Sequence, residues 1–451
     1  MQRRERMGEP FSSPLTNVEE EQAKELVGKP QSRISNQIWM AVILLAFSGQ
    51  LAWGVENQFF NTFMYDKITP DPRPISWMVA ASAVTATLTT ILMGTLSDRT
   101  RTRWGRRRPF ILFGYIAWGI FTSAFPLAAF FRSVTLAIGM AILFDCVMTF
   151  FGSTANDASL NAYITDVTTN ENRGRVIGVV EILTWVAILI VYGGAGMIIE
   201  KLGYYAFFYI IGGAVLVLGV IGSFLVKEEI ITDKPTNSYW KQIAESFRWK
   251  NLVANRNFFL VLMGISLWAI AQNVFFPYLI IYLQHYIQLD TMSSTITIAV
   301  SILIGGIALA YPLGLLIDKW GRKPVALISV GAEMVGLILF SISKTLLPLV
   351  ITGILWLVPL TAWTIATSTW SKDLFPEDKR GQFAGYYLFF WVMLPMILGP
   401  LTGGWLGTHY GIPTIIDGQA GFIPTPLIFQ VAGVATLLAA IPLVFTKNKS
   451  E

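Results

Sequence analysis

Twelve long apolar segments dominate the sequence and restrict it to a helical membrane fold. A helix needs about 20 apolar residues to cross the hydrocarbon core of a bilayer. Of the 451 residues, 54% are hydrophobic and 14% are charged, whereas soluble proteins carry about 25% charged residues. No segment alternates like a strand of an outer-membrane barrel, so backbone pairing within lipid requires helices. The predicted spans are residues 38–63, 75–97, 109–131, 134–162, 175–199, 205–226, 257–284, 292–316, 324–343, 346–371, 382–404 and 425–445.

The basic residues indicate the orientation of these spans. Cytoplasmic loops are enriched in Lys and Arg. All but five of the 33 Lys and Arg residues lie in the tails or in the loops that share a side with them. The five on the other side are Lys67, Arg73, Arg132, Lys201 and Lys344. The sequence therefore predicts a multi-pass protein of the inner or plasma membrane with both termini in the cytoplasm.

A central polar stretch divides the chain into two six-helix halves. We expect a flexible cytoplasmic N-terminal tail over 1–36, an N-terminal bundle over 37–226, a cytoplasmic linker over 227–256, a C-terminal bundle over 257–446 and a C-terminal tail over 447–451. Within the linker, residues 239–252 have the pattern of an amphipathic helix. Such a helix would lie along the inner membrane surface, or it would be a plain solvated linker helix.

The two halves contain the same motifs at equivalent places. Gly94-Thr-Leu-Ser-Asp98 after the second span matches Gly314-Leu-Leu-Ile-Asp318 after the eighth. A second match follows the fourth and tenth spans, where an Asp precedes an Arg-Gly pair by seven residues. These pairs are Asp166 with Arg173 and Asp373 with Arg380. Two ordered matches indicate duplication and a pseudo-symmetric bundle.

Charged residues at these repeated positions suit a switching contact. Glycine allows helix ends to approach closely, and acids placed among arginines can form pairs that hold in one state and release in another. The alternative is that the basic loops only fix orientation. The predicted cytoplasmic gate comprises Asp98, Arg106, Arg107, Arg108, Asp166, Arg173, Asp318, Arg322, Asp373 and Arg380.

The loop after the second span carries a resemblance to a known family. Asp98-Arg-Thr-Arg-Thr-Arg-Trp-Gly105-Arg106-Arg107-Arg108-Pro109-Phe110-Ile111 resembles the loop 2–3 signature of the major facilitator superfamily. Its ending, with Ala162-Tyr-Ile-Thr-Asp166, is similar to sucrose–proton symporters and to glycoside–pentoside–hexuronide cation symporters. The resemblance implies an all-α protein of twelve transmembrane helices, whose two six-helix bundles surround a central cavity with alternating access.

Acidic residues within the predicted spans are the candidates for ion coupling. A charge in a bilayer costs several kcal/mol, so each is a functional hypothesis by default. Four acids are predicted to exchange protons: Glu56, Asp157, Asp145 and Glu181. Glu333 lies on a span that the resemblance makes peripheral, and a structural role is favoured there. We expect no cofactor and no metal, and a proton as the coupling ion, with sodium as the alternative.

Amides and aromatic rings on the spans are the candidates for substrate binding. Rings stack on the apolar face of a sugar, while amides bond its hydroxyls. Packing within the bundle is the alternative for each of them. The predicted substrate-binding residues are Trp53, Asn57, Asn61, Asn156, Asn161, Gln272, Asn273, Trp363, Thr367 and Trp391.

Absent motifs narrow the function. The sequence has no GxxxxGK[ST] phosphate loop, and neither HExxH nor GxSxG is present. One cysteine, Cys146, and two histidines leave little for a disulfide or a metal site. The favoured function is proton-coupled uptake of a glycoside or small oligosaccharide by a monomer in the bilayer, without nucleic acid. The alternatives are a proton-coupled exporter of drugs or metabolites and, from another class, a membrane enzyme or receptor.

Overall fold

Twelve membrane spans follow one another in the part of the chain that the structure describes. The computed structural model describes residues 34–169, 172–228, 255–374 and 386–446. Eleven helices in this part are long and apolar enough to span a membrane. One of them, Arg173–Leu225, has 53 residues, about 80 Å at 1.5 Å per residue. Its Gly203 has a non-helical φ of 83° and ψ of 170°, so this element contains two spans, which confirms the helical membrane fold.

The spans are labelled in chain order. They are α1 Asn36–Lys67, α2 Pro72–Arg99, α3 Arg108–Phe130, α4 Val134–Val167, α5 173–202, α6 204–225, α7 Arg256–Tyr286, α8 291–320, α9 Arg322–Ile342, α10 Leu346–Asp373, α11 Tyr386–His409 and α12 Leu427–Val444. Each overlaps the predicted segment of the same number. The predicted tails at 1–33 and 447–451, and linker residues 229–254, lie outside the described residues.

Several spans depart from α-helical geometry where polar residues lie. α1 contains a π-helical turn at Glu56–Phe60, and α4 contains one at Ser153–Leu160. α7 passes through a 3₁₀ turn at Phe276–Tyr278, where Pro277 lacks a backbone donor. π-helical turns inside α-helices are frequent at functional sites. They also rotate the following side chains away from the faces that a uniform 3.6-residue period predicts.

The two six-helix halves meet along α2 with α11 and α5 with α8. A side chain at Gly404 of α11 would place its Cβ 3.0 Å from Cβ of Ser76 on α2. A Cβ at Gly196 of α5 would lie 2.7 Å from Cα of Met292 on α8. Glycine at these positions therefore lets backbones of opposite halves approach closely.

A short β-hairpin precedes α12, an addition to the predicted all-helical architecture. β1 (Ile412–Ile416) pairs antiparallel with β2 (Gln419–Ile423). The connecting Asp417 and Gly418 have φ of 48° and 79°, as a type I′ turn requires. We call the end of the bundle that carries this hairpin the hairpin end. The opposite end, with the loop 100–107, is the basic end.

Candidate functional site

A cleft lies between the two halves near the middle of the bundle. Its empty volume is about 350 Å³, counted with the solvent at its mouth. Residues of α1, α2, α4, α7 and α11 line it. They are Glu56, Asn57, Asn61, Met78, Val79, Ser82, Asp145, Asn273, Phe276, Pro277 and Met396. The cleft therefore combines acids and amides with an apolar wall.

Glu56 connects three helices at the centre of this cleft. It begins the π-helical turn of α1. Its Oε1 accepts hydrogen bonds from Ser82 Oγ on α2 at 2.7 Å and from Thr149 Oγ1 on α4 at 3.0 Å. The two hydroxyl oxygens are themselves 2.7 Å apart. This network fixes one carboxylate oxygen and leaves the other, which is buried, without a hydrogen-bond partner among the described residues.

Asp145 brings a second carboxyl group to Glu56. Both residues line the cleft, and their carboxyl groups interact electrostatically. Glu56 Oε2 and Asp145 Oδ1 are buried, and neither atom has a hydrogen-bond partner among the described residues. Two ionised carboxylates only accept hydrogen bonds, so a bond between them requires a proton on one. None of the residues that line the cleft in the described structure is Lys, Arg or His.

Asp157 occupies a different place, 12 residues along α4 from Asp145 and nearer the basic end. That separation is about 18 Å along a helix. Ser153 Oγ donates to Asp157 Oδ2 at 2.9 Å, and Asn156 Nδ2 donates to Oδ1 at 3.1 Å. Asn161 Nδ2 bonds the backbone oxygen of Asp157 at 3.2 Å. Both carboxyl oxygens of Asp157 are therefore satisfied within its own helix. The remaining acid proposed for coupling, Glu181, is exposed on α5 and does not line the cleft.

The predicted amides separate into those that face the cleft and those that pack. Asn57, Asn61 and Asn273 line it, and Asn61 Oδ1 has no partner among the described residues. Gln272 instead donates to Glu333 Oε1 at 2.7 Å. Asn156 is 92% buried and accepts from Tyr115 at 3.3 Å.

The predicted aromatic residues form a stack inside the C-terminal half. Trp268 lies between Trp363 and Trp391, with ring centroids 5.6 and 5.9 Å away and nearly parallel planes. Trp268 Nε1 donates to Glu333 Oε2 at 2.6 Å. Trp363 is fully buried, so only Trp391, at the half-buried edge of the stack, has a face available to a ligand.

Two further predicted binding residues pack rather than face the cleft. Trp53 packs on Trp118 of α3 with a centroid distance of 4.8 Å. Thr367 is buried and its hydroxyl donates to the Trp363 carbonyl at 2.8 Å. Neither lines the cleft. Because Thr367 bonds the carbonyl four residues before it, its hydroxyl has the local partner that threonines in helices commonly use.

Charged residues at the basic end form a compact network in the N-terminal half. Arg107 is 97% buried; it pairs with Asp98, bonds Ser97 Oγ at 2.6 Å and approaches Asp166 at 3.4 Å. Arg106 pairs with Asp166 at 2.8 Å. All these residues belong to one half, so the contacts of the predicted gate that the described residues show tie α2, α3 and α4 together.

Glu228, which the sequence analysis did not single out, completes this network. Its carboxylate accepts from the backbone N–H of Arg107 at 3.0 Å and of Arg108 at 3.1 Å, at the start of α3. An anion at a helix N-terminus is favoured by the helix dipole. Gly105 has φ of 100°, and a Cβ there would lie 2.1 Å from Glu228 Oε2. Burial raises the pKa of Glu228, whereas the backbone bonds from Arg108 and Arg107 act in the opposite direction.

The C-terminal half contains the equivalent ion pair. Arg322 pairs with Asp373, as Arg106 pairs with Asp166 in the other half. Asp318 is exposed at the end of α8, and Arg380 lies outside the described residues.

The other two predicted gate arginines bond backbone carbonyls. Arg173 bonds Thr168 Oγ1 at 3.1 Å and backbone oxygens at the end of α4. Arg108 donates to the Phe224 carbonyl at 3.4 Å and lies over the ring of Phe224. Both thereby hold helix C-termini, where cations are favoured.

Several hydrogen bonds join the two halves. Those between described residues lie at mid-membrane or toward the hairpin end. Gln58 of α1 donates to the Phe276 carbonyl of α7 at 2.7 Å. Tyr278 donates to the Pro72 carbonyl at 3.3 Å, and Met292 N donates to Glu200 at 2.7 Å. The halves are thus closed against each other at the hairpin end.

Comparison with known proteins agrees with this architecture. A family model described as Major Facilitator Superfamily matches residues 38–311 and 294–451. The nucleoside transporter NupG superposes with a TM-score of 0.69 at 14% identity, over 92% of this chain and 100% of that one. The D-xylose-proton symporter gives 0.65 at 13% identity, over 91% and 98%.

A partially occluded inward open conformation of the xylose transporter XylE from E. coli gives a TM-score of 0.63 at 12% identity, over 92% and 99% of the two chains. At these identities the likeness shows the fold. No curated protein sequence matches the chain. The family match covers the spans of both halves. The chain therefore belongs to the Major Facilitator Superfamily and is a membrane transporter rather than an enzyme.

Proposed function

We propose that the protein is a proton-coupled symporter that takes up a glycoside or small oligosaccharide by alternating access. The observation that carries the proposal is that Glu56 and Asp145 line the same cleft between the halves, each with a buried carboxyl oxygen that has no hydrogen-bond partner among the described residues. We infer that the pair holds a proton in this conformation, because two neighbouring buried carboxylates cannot readily both be ionised. A movement of the halves can separate the two groups or expose them to the other side of the membrane. Either change alters the free energy with which the pair binds its proton, so proton release is coupled to the conformational change.

The hydroxyl network around Glu56 supports a proton rather than a sodium ion. Ser82 and Thr149 saturate one oxygen of Glu56, and the remaining oxygen is buried without a partner among the described residues, in the cleft that Asp145 also lines. A carboxyl–carboxyl contact is stable only with a proton between the oxygens. Asp157, whose oxygens are bonded by Ser153 and Asn156, is a weaker candidate for coupling than Asp145.

The lining of the cleft supports a neutral substrate that is rich in hydroxyl groups. Asn57, Asn61 and Asn273 present amides, which both donate and accept. Met78 and Phe276, which also line the cleft, suit the apolar face of a sugar ring. The solved structures with the same fold are named for a nucleoside and for D-xylose. We propose that the exposed face of Trp391 becomes part of the binding site when the cleft opens.

The distribution of arginines supports an orientation with the basic end and both termini in the cytoplasm. The hairpin end then faces outward, and the described conformation is closed to the outside. Arg107 with Asp98, and Arg322 with Asp373, belong to the proposed cytoplasmic gate. Because each pair lies within one half, we infer that they keep the helix ends of each half rigid while the halves separate.

Transport into proteoliposomes tests the proposal. A panel of labelled disaccharides, glycosides and pentoses is offered with an inward proton gradient and without sodium. Glu56→Gln and Asp145→Asn are expected to abolish accumulation against a gradient while substrate exchange persists. Glu181→Gln, an acid outside the cleft, is the matched control and should transport normally. Asp157→Asn should retain at least partial accumulation.

Two results would contradict this assignment. If Asp157→Asn alone uncouples transport and Glu56→Gln does not, the coupling site is nearer the basic end. If no sugar or glycoside enters, even with sodium, and the protein remains folded, the substrate class is wrong.

The exporter is the second candidate, and the apolar wall favours it. Met78, Val79 and Met396 beside Glu56 would also accept an amphiphilic cation, whose charge would pair with the acid when the proton leaves. Efflux of lipophilic cations driven by an opposed proton gradient, lost in Glu56→Gln, would support export over sugar uptake.

A further inference from the structure

The hairpin end of the molecule contains a contact that joins the two halves through the backbone. Phe422 of β2 donates its N–H to the Pro70 carbonyl at 2.9 Å. Its own carbonyl accepts from Tyr65 Oη at 2.8 Å. Pro70 and Tyr65 belong to the N-terminal half, whereas β2 belongs to the C-terminal half. Both backbone groups of Phe422 are therefore bonded across the interface.

Glycine at the neighbouring position is required for this contact. A Cβ at Gly421 would lie 2.0 Å from the Pro70 oxygen. Gly421 is buried, while Ala420 beside it is exposed. Since the clash would be with a backbone carbonyl, a rotamer change cannot relieve it. Only a displacement of β2 from Pro70 can accommodate a side chain at position 421.

A polar cluster beneath the hairpin joins the same two halves. Asp66, at the end of α1, accepts from Tyr204 Oη of α6 at 2.6 Å. Its other oxygen lies 2.8 Å from Nε2 of His285, in the last turn of α7. The His285 ring packs on Tyr65 with a centroid distance of 4.9 Å, and Tyr65 is the residue that bonds Phe422. The cluster and the hairpin thus form one connected set of contacts.

We propose that the hairpin closes the transporter at the hairpin end and that the contact between Asp66 and His285 helps to hold it closed. We call the hairpin the strap. The strap must detach from the N-terminal half for the cleft to open at this end. The inference rests on alternating access in the proposed function. Opening at this end moves Pro70 and Tyr65 away from β2, which breaks both bonds of Phe422. The same movement separates His285 from Asp66, because Asp66 stays with Tyr204 in its own half.

The strap is tested by its effect on conformation, without any substrate. Cys146→Ser removes the only cysteine, and Ser76→Cys introduces a reporter. Ser76 is 2% exposed and lies under Gly404 of the opposite half, so a hydrophilic maleimide reaches it only when the hairpin end opens. Gly421→Val should accelerate labelling about tenfold, equivalent to a shift of about 1.4 kcal/mol between the two states. Ala420→Val, on the exposed face of the same strand, should not.

His285→Ala should also accelerate labelling of the reporter, whereas His409→Ala should not. His409 bonds only the Trp405 carbonyl of its own helix in the described structure. A second reporter, Ser48→Cys, lies in the core of the N-terminal half and is fully buried. It should stay unlabelled in every variant, which separates opening from unfolding.

Equal labelling of Gly421→Val and Ala420→Val, in folded protein, would overturn the strap. Because the labelling needs no sugar and no proton gradient, failure of the strap and failure of the proposed substrate class are distinguishable.

Discussion

Replacement of Gly105 by alanine should destabilise the N-terminal half through Glu228. Gly105 has φ of 100°, a conformation that costs an L-residue about 1–2 kcal/mol. The added Cβ would lie 2.1 Å from Glu228 Oε2, and the flexible carboxylate would swing away. The start of α3 then loses its anion, at a cost comparable with that of a lost helix cap, about 0.5–2 kcal/mol. The sum is a loss of about 1.5–4 kcal/mol in the free energy of unfolding.

A double-mutant cycle separates the two contributions. Glu228→Ala alone should cost about as much as a lost cap, about 0.5–2 kcal/mol. In that background Gly105→Ala should add only the backbone strain, because no carboxylate remains to be displaced. Unfolding in detergent, followed by tryptophan fluorescence against denaturant, measures all four proteins. Strictly additive costs would refute the reasoning, because they would show that the methyl group and the carboxylate do not compete for the same space.

The remaining predictions concern the interface between the halves and the buried acid of the C-terminal half. Ser76→Cys with Gly404→Cys, in the Cys146→Ser background, should form a disulfide between the halves. The two Cβ atoms would be 3.0 Å apart, and a small outward movement of the helices brings them to the usual Cβ–Cβ distance of a disulfide, ~3.5–4.5 Å. Oxidation should stop transport and a reductant should restore it; unaltered transport by the fully oxidised protein would contradict closure at this end. Glu333→Ala should cost about 2–5 kcal/mol, because Trp268 Nε1 and Gln272 Nε2 lose their acceptors, and should weaken the near-ultraviolet circular dichroism of the Trp stack. Glu333→Gln keeps an acceptor and should cost less; an equal loss in both variants would show that the charge, rather than the hydrogen bonds, matters there.

Hydropathy alone was sufficient to predict the spans, because lipid requires every span to pair its own backbone groups. The repeat was also readable, since Asp166 and Asp373 are followed by Arg-Gly at the same spacing. In the structure, Asp166 and Asp373 each pair with an arginine from the loop two spans earlier. Charges at helix ends are conspicuous in an apolar chain, and the loops there are short, so such partners have few alternatives.

The contacts inside the bundle could not be predicted in the same way. Glu56 and Asp145 come from different helices, and their contact depends on the rotation of both. The π-helical turn at Glu56–Phe60 changes that rotation, which a uniform helical period cannot anticipate. Trp53, like Asn57, was predicted to bind substrate, yet Trp53 packs on Trp118. Gln272 was predicted to bind the substrate, but it donates a hydrogen bond to Glu333. Glu333 was predicted to have a structural role on a peripheral span.

Two features were missed although the sequence held a signal for one of them. Asp417-Gly418 between short apolar runs is a strong local indicator of a hairpin. These runs are too short to span a membrane, so a prediction based on long apolar segments does not include them. Glu228 had no such signal. Its partners are backbone N–H groups of Arg107 and Arg108, which every residue type offers, so only the folded geometry identifies it.

The hairpin also has a pharmacological consequence. Its outer surface is apolar and accessible: Ile415 is 74% exposed and Ile412 is 48% exposed, close to the Pro70 segment of the other half. An antibody fragment or cyclic peptide that contacts both the hairpin and the Pro70 segment would bind the closed state. In the open state it would lose about half of these contacts. By linkage, such a binder stabilises the closed state in proportion to that difference in affinity. It would inhibit transport from a site outside the cleft, by withholding the open state from the substrate.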